Sequence, residues 1–304
     1  FNKDGNKRSH RFLRATMRSA AKLAYEEAQA AIDGKPGGKA GDILETVLKP
    51  LWGAYAAVSK ARDIRSPLDL DMPERRIMFT PEGELDGIVT KVRLDAHRLI
   101  EEFMILANVA AAEELERLKR PLLYRVHEEP TPEKLESLRE VAEASGFTLG
   151  KGQVLKTAHL NRLLAQAQGT DQSELINIST LRSMTQAYYH AQNFGHFGLA
   201  LRSYAHFTSP IRRYSDLIVH RGLIRALNLG KDGLTDREIA ELPAIAEGVT
   251  MTERRSMAAE RDAMDRYIAA FLEEHVGATF SGRITGVTRF GLFVRLDETG
   301  ADGL

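Results

Sequence analysis

The clearest change of hydrophobic period in this chain falls at Val276–Gly277. Before that point apolar residues mostly recur three and four apart, as on one face of a helix. After it, TFSGRITGV and GLFVRL alternate as strands do, with Gly282, Gly286 and Gly291 set among Phe280, Phe290 and Phe293. A helix-period pattern laid into a sheet would split its apolar set between two faces, so the two regions demand different architectures. The expected fold class is α+β: a mostly helical unit over 1–275, then the opening strands of a β-unit over 276–304.

Inside the helical unit the strongest signal begins at Asp95, a good N-cap. Leu99, Ile100, Phe103, Met104, Leu106, Ala107, Ala110 and Ala111 then form a broad apolar face suited to a buried helix. Residues 14–32, rich in Ala and charge, read as a helix stopped near Gly34. Leu44, Val47, Leu48, Leu51, Tyr55 and Val58 predict a helix over 42–62 with a kink at Pro50. RRIMF and LDGIVTKV predict a hairpin turning at Pro81–Gly83. Thr131-Pro132-Glu133 opens a helix that Gly146 ends. Further helices are expected near 156–168 and 180–193, and a long one over 248–275.

Composition narrows the classes. The 304 residues hold 42 Lys plus Arg against 42 Asp plus Glu, and no Cys. A disulfide scaffold and any thiolate metal site are excluded. No apolar run reaches the length of a membrane-spanning helix. Zero net charge rules out a uniformly basic coat for nucleic acid but leaves room for a local basic groove. The chain opens on FNKDGNKRSHRF without Met and closes on ETGADGL straight after a strand-like run, so we expect an internal segment of a longer protein.

The stretch that carries chemistry is GHFGLALRSYAHFTSPIRRYSDLIVHRGLIRAL, Gly195 to Leu227. Ser209 is a good N-cap and Pro210 suits a first helical position, which would put Arg212 and Arg213 in the first turn. A helix N-terminus presents free N–H groups and a positive dipole end, a natural anion site. From Arg202 to Arg225 there are five Arg and one acid, Asp216. Arg suits phosphate because its planar fork forms two parallel bonds. The competing reading is a surface Arg–Asp network with Arg212 and Asp216 as an i,i+4 pair. A second basic region, 1–22, has seven Lys or Arg against Asp4 and reads as solvated surface.

At YAHFTSPIRRYSDLIVHR the sequence resembles the RNase II/RNase R (RNB) family of exoribonucleases, the RNase R branch fitting best. DMPERRIMFTPEGELDGI, DAHRLIEEFMILANVAAAEEL and MRSAAKLAYEEAQ match in order, and VGATFSGRITGVTRFGLFVRLDETGADGL looks like the start of the family's OB-fold, S1-type RNA-binding domain. The resemblance implies 3′→5′ processive hydrolysis of single-stranded RNA to nucleoside 5′-monophosphates. It also implies magnesium held by an Asp cluster that lies upstream of this segment, so that the segment alone should be inactive. ARDIRSPLDLDMPE, with Asp63, Asp69 and Asp71, reads as a solvated loop rather than as that cluster. Arg212 matches the arginine at the scissile phosphate, and Arg213 stands where some members have Lys. Tyr25 and Glu101 match residues that sense the ribose 2′-OH, which distinguishes RNA from DNA. Taken on their own residues, they would read as a half-buried aromatic and an ordinary charged helix face. Glu260 matches a glutamate lining the RNA path, with a surface ion pair as the competing reading. Leu70 stands near a base-stacking Phe and offers apolar contact without a π face. His206 could meet a phosphate, a structural histidine being the alternative. The resemblance further implies a monomer. Ribosome or degradation-machinery partners are left open, and the absence of Cys and of targeting signals suits a cytoplasm. Two rivals stand beside this reading: an RNA-binding, regulatory member that does not cleave, and an interaction segment whose basic patch docks a protein.

Overall fold

The computed structural model describes residues 1–72, 74–150 and 154–303. Pro73 of the DMPERR stretch and the final Leu304 lie outside them. The fold is α+β and mostly helical, as the periodicity requires. In order come α1 (Tyr25–Ile32), α2 (Gly38–Asp42), a π-helical turn (Leu44–Leu48), α3 (Lys49–Arg65), β1 (Arg75–Phe79), β2 (Leu85–Thr90), α4 (Asp95–Arg117) and β3 (Tyr124–Val126). They are followed by α5 (Pro132–Ala144), α6 (Thr157–Ala167), α7 (Ser173–Ser183), β4 (Tyr188–His190), α8 (Tyr214–Ala226), α9 (Asp236–Ala240) and α10 (Leu242–Glu273). The chain closes with β5 (Gly282–Thr288), β6 (Gly291–Leu296) and β7 (Asp302–Gly303).

Helix α4 is the axis of the molecule. Its buried side chains include Leu99, Glu102, Ile105, Asn108, Ala112 and Leu115, a three-and-four spacing that defines one face. Ala111, Ala112 and Leu115 pack with Leu122, Val126, Ala205, Val219 and Leu223, joining α4, β3 and α8 in one core. A second core unites α5, α6 and α7 through Leu138, Ala142, Leu160, Leu163 and Ile176. A third seats α8 and α10 against β4 through Ile218, Leu242, Ala246 and Tyr189. The predicted face differs in composition: Ile100 is exposed, while Glu102 and Asn108 are buried in its place.

Several expected elements are corrected. Of the helix expected over 14–32, only Tyr25–Ile32 is helical, and residues 5–24 form neither helix nor strand. That strap is tied by ion pairs of Lys7 to Glu113 and Arg14 to Asp232, and by Phe12 edge-on to Phe207. The expected 42–62 helix is divided into the π-turn and α3, and Pro50 lies in the first turn of α3, where a missing N–H is tolerated. The 180–193 helix is instead the end of α7 and strand β4, which pairs antiparallel with β3, Arg125 opposite Tyr189. Leu94 rather than Asp95 caps α4, its N–H donating to His97 Nδ1 at 3.1 Å. The hairpin β1–β2 turns where expected, with Gly83 at φ 89° and its N–H bonded to the Thr80 carbonyl at 3.0 Å. The three strands β5–β6–β7 form an antiparallel meander docked on α7, where Arg283 and Arg295 meet Glu174, each at 3.7 Å.

Candidate functional site

Two features lie along α4. The first is a cleft of about 960 Å³ at its N-terminal end. Its walls come from the loop bearing Asp69–Met72, the end of β2 with Lys91 and Arg93, the first turns of α4 with His97 and Glu101, and the faces of α6 and α7. Two buried-side amides hold the loop in place. Asn161 Oδ1 accepts the Asp69 N–H at 3.0 Å while its Nδ2 donates to the Pro67 carbonyl at 2.8 Å. Asn177 Oδ1 accepts the Asp71 N–H at 2.9 Å. Ser66, at φ 53°, ends α3 and starts this loop, and its carbonyl accepts from Thr157 Oγ1 at 2.6 Å.

The cleft holds two of the residues expected to meet RNA, and a third stacks on a residue that lines it. Leu70 lines it and also packs on the α5–α7 core. Glu101 lines it and is ion-paired to Arg93. Tyr25, half exposed at the start of α1, stacks on His97 with centroids 4.2 Å apart and planes at 25°. His97 and Glu101 are one turn apart on α4, so phenol and carboxylate are delivered to one place. Charges around the cleft are largely matched, Lys91 with Glu74 at 3.0 Å and Arg62 with Asp69 at 3.3 Å. Behind it the buried Glu102 meets Arg62 and Arg65 at 3.2 and 3.5 Å; burial raises its pKa, against the pull of both guanidinia.

The second feature is the turn Thr208–Arg213. Helix α8 begins at Tyr214, so Ser209 does not cap it and Pro210 lies before it in an open turn. The expected Arg212–Asp216 pair is not formed. Arg213 takes that carboxylate instead, Nε to Oδ2 at 2.7 Å and Nη2 to Oδ1 at 2.9 Å. The reason is geometric: residues 209–212 are not helical, so Arg212 does not lie on the face of α8 that carries Asp216. The basic patch is also mostly compensated, since Arg221 bonds Glu238 and Arg225 bonds Asp236 of the following segment. Arg212 is exposed, and its backbone N–H bonds the Ser209 carbonyl at 3.3 Å.

Asn108 joins the two features. It lies seven residues after Glu101, about 10 Å further along nearly the same face of α4. His206 stands behind the turn, with its Nδ1 2.8 Å from the Tyr189 hydroxyl and its ring edge-on to Tyr189 and Tyr204. Burial first, then the charges of Arg213 and Arg125, push its pKa down to about 3, so it is a neutral packed ring. Glu260 is exposed on α10, two turns beyond Glu253, which holds Arg125 at 2.6 Å; it does not line the cleft. The residues that sequence reasoning missed are Asn108, His97, Asn161 and Asn177. A lone Asn inside the apolar stripe of α4 was the one available signal.

Magnesium does not fit the acids present. Among the described residues no three His, Asp or Glu side chains converge as a cation site. Asp63 and Asp69 both face Arg62, at 3.6 and 3.3 Å, and the Asp71 N–H is anchored to α7.

Comparison with known proteins places this arrangement. Residues 1–229 match the RNB domain. The chain is 38% identical over 306 residues to ribonuclease R of Aquifex aeolicus, covering 100% of this chain and 43% of that protein. To ribonuclease R of Escherichia coli strain K12 it is 37% identical over 314 residues, covering 99% of this chain and 38% of the relative. The structure of Mycoplasma genitalium RNase R in complex with ribose methylated single-stranded RNA matches at TM-score 0.84 and 32% identity, over 92% of this chain and 44% of that one. The fold is therefore of the RNB-domain class that these ribonucleases share. The chain belongs to the RNB-domain family, and within it the similarity runs to ribonuclease R. It spans about two fifths of the length of these curated relatives. No helix among the described residues is long and apolar enough to cross a membrane.

Proposed function

We propose that this chain is the RNA-gripping part of a cytoplasmic exoribonuclease. The intact protein would degrade single-stranded RNA processively from the 3′ end and release nucleoside 5′-monophosphates. The observation that carries the reading is an exposed arginine, Arg212, in a turn bonded to Asn108 of α4, together with the cleft that His97 and Glu101 line at the start of the same helix. Arg212 presents a planar cation to a phosphate and would stabilise charge developing on phosphoryl oxygens as the bond to the leaving oxygen lengthens. Glu101 accepts a hydrogen bond from a 2′-OH, a group DNA lacks. Leu70 offers the terminal base an apolar surface. The strands β5–β7 read as the start of an OB-type domain that guides incoming RNA. The relative captured with ribose methylated single-stranded RNA supports the substrate class. Divalent magnesium is part of the proposal only as a group held by carboxylates other than those described, and no step is assigned to it.

The test uses the intact protein with 5′-labelled oligo(A) and its Arg212→Ala variant. Stepwise shortening from the 3′ end with release of AMP is expected, slowed by about 100-fold in the variant, as for the loss of one preorganised charge-stabilising group. Internal cuts, or an unchanged rate in the variant, would refute the reading. An intact protein that binds RNA without shortening it would favour the regulatory alternative.

A further inference from the structure

Two arginines stand side by side in the turn, yet only one faces outward. The cause lies beneath the turn. Three successive backbone amides donate to side chains of other elements. The N–H groups of Phe207 and Thr208 reach Asn108 Oδ1 at 2.8 and 3.2 Å, and the Ser209 N–H reaches Asp216 Oδ1 at 2.8 Å. Asn108 is itself oriented, its Nδ2 donating to the Tyr204 hydroxyl at 3.0 Å. Asp216 is fully buried, and an unpaired carboxylate there would be costly. It is satisfied by the guanidinium of Arg213, by the Ser209 amide and by Ser215 Oγ at 3.2 Å. Arg213 is thereby committed inward, and the Cα of Arg212 is held by acceptors on two different helices, α4 and α8.

We propose that Asn108 and Asp216 are positioning residues that set the phosphate grip of Arg212, one by fixing the amides of the turn and the other by fixing its end and retaining Arg213. The inference rests on the reading of Arg212 as an RNA-phosphate contact. It assigns the specificity between the two arginines to a buried acid that never touches RNA.

A thermodynamic cycle tests it. Binding of fluorescein-labelled oligo(A) to the intact protein is measured by anisotropy in EDTA, where no turnover occurs, for Arg212→Ala, Asp216→Asn and the double variant. Loss of one charge-assisted contact should weaken binding by about 10-fold for Arg212→Ala and reduce the salt slope by about 0.7. Asp216→Asn should weaken binding by about 5-fold with Arg212 present and by less than about 2-fold without it, because coupled residues are not additive. Equal weakening in both backgrounds, as a general structural defect would give, overturns the inference, and so does no weakening at all. If Arg212→Ala leaves affinity and slope unchanged, the functional reading fails first, which is a separate outcome. Should Asp216→Asn not fold, Asn108 decides. Asn108→Asp keeps the acceptor for both amides and should bind within about 2-fold of wild type, while Asn108→Ala should weaken binding about 5-fold. Equal behaviour of the two Asn108 variants overturns the inference.

Discussion

Acidification to pH 5 should destabilise this protein well above the pH at which its carboxylates titrate. The cause is a buried ladder of rings behind the Arg212 turn. His127 packs edge-on to His196 at 5.1 Å, His196 to Tyr204 at 5.1 Å, and Tyr204 to His206 at 5.6 Å. Arg125 lies over the Tyr189 ring at 4.7 Å and adds a fixed positive charge. Burial pushes His196 and His206 each down to about 3, with neighbouring His and Arg charges adding to the effect. Both are neutral when folded, whereas the unfolded chain takes up protons near the ordinary histidine value. Stability from this source is therefore complete above about pH 6.5 and falls as the pH drops toward 3. At pH 5, some 1.5 pH units below that value, each ring contributes a loss of about 2 kcal/mol at 1.36 kcal/mol per unit. Glu102, raised by burial, binds its proton more readily in the folded state and offsets part of the loss. Asp216 works from the opposite side: burial alone would raise it, but the Arg213 bond and the Ser209 amide hold it below the usual carboxylate range, so its contribution is lost only below about pH 4. A net loss of 2–4 kcal/mol corresponds to roughly 4–8 °C in Tm for a chain of this size. Thermal melts followed by circular dichroism at pH 7.5 and 5.0 measure it, and His206→Gln should remove about half of the drop. A Tm that is flat between the two pH values would refute the reasoning. So would a His206→Gln variant with the full wild-type drop.

Two further substitutions probe the cleft and the core. Glu101→Ala should narrow the preference for oligo(A) over oligo(dA) by about 10-fold, the worth of one hydrogen bond to a charged group; an unchanged ratio in competition binding removes Glu101 from the ribose contact. Leu115→Ala, at the centre of the α4–α8 core, should cost about 2–5 kcal/mol in urea unfolding, and a cost below 1 kcal/mol would show that α8 packs more loosely than the structure has it.

Which parts of this molecule can be read from sequence follows from what holds each part. Helix α4 and the hairpin β1–β2 are set by local pattern and turn chemistry, and both appear where the pattern puts them. Residues 14–24 have helix-forming composition but no apolar stripe, so propensity had no burial to support it, and the distant Asp232 ties the segment at Arg14 instead. Strand β4 carries only three residues, and its strand character comes from β3, more than sixty residues earlier in the chain. The candidate site divides in the same way. Arg212, Glu101 and Tyr25 could be singled out by motif, but the neighbours that hold each of them could not. The Tyr25–His97 stack joins α1 to α4, and the Arg212 turn depends on Asn108, about a hundred residues away in sequence.

The choice between Arg212 and Arg213 shows why spacing alone misleads at such a site. On a continuous helix, three and four residues to Asp216 are equally good, and the i,i+4 pair would have drawn Arg212 onto the acid. Asp216 instead accepts the Ser209 amide and the Arg213 guanidinium, while α8 begins only at Tyr214 and Arg212 stays in the turn before it. One buried carboxylate thus retains one arginine and leaves the other exposed. A sequence that kept TSPIRRY but lost the acid three residues after the second arginine would keep the motif and lose what sorts the two arginines.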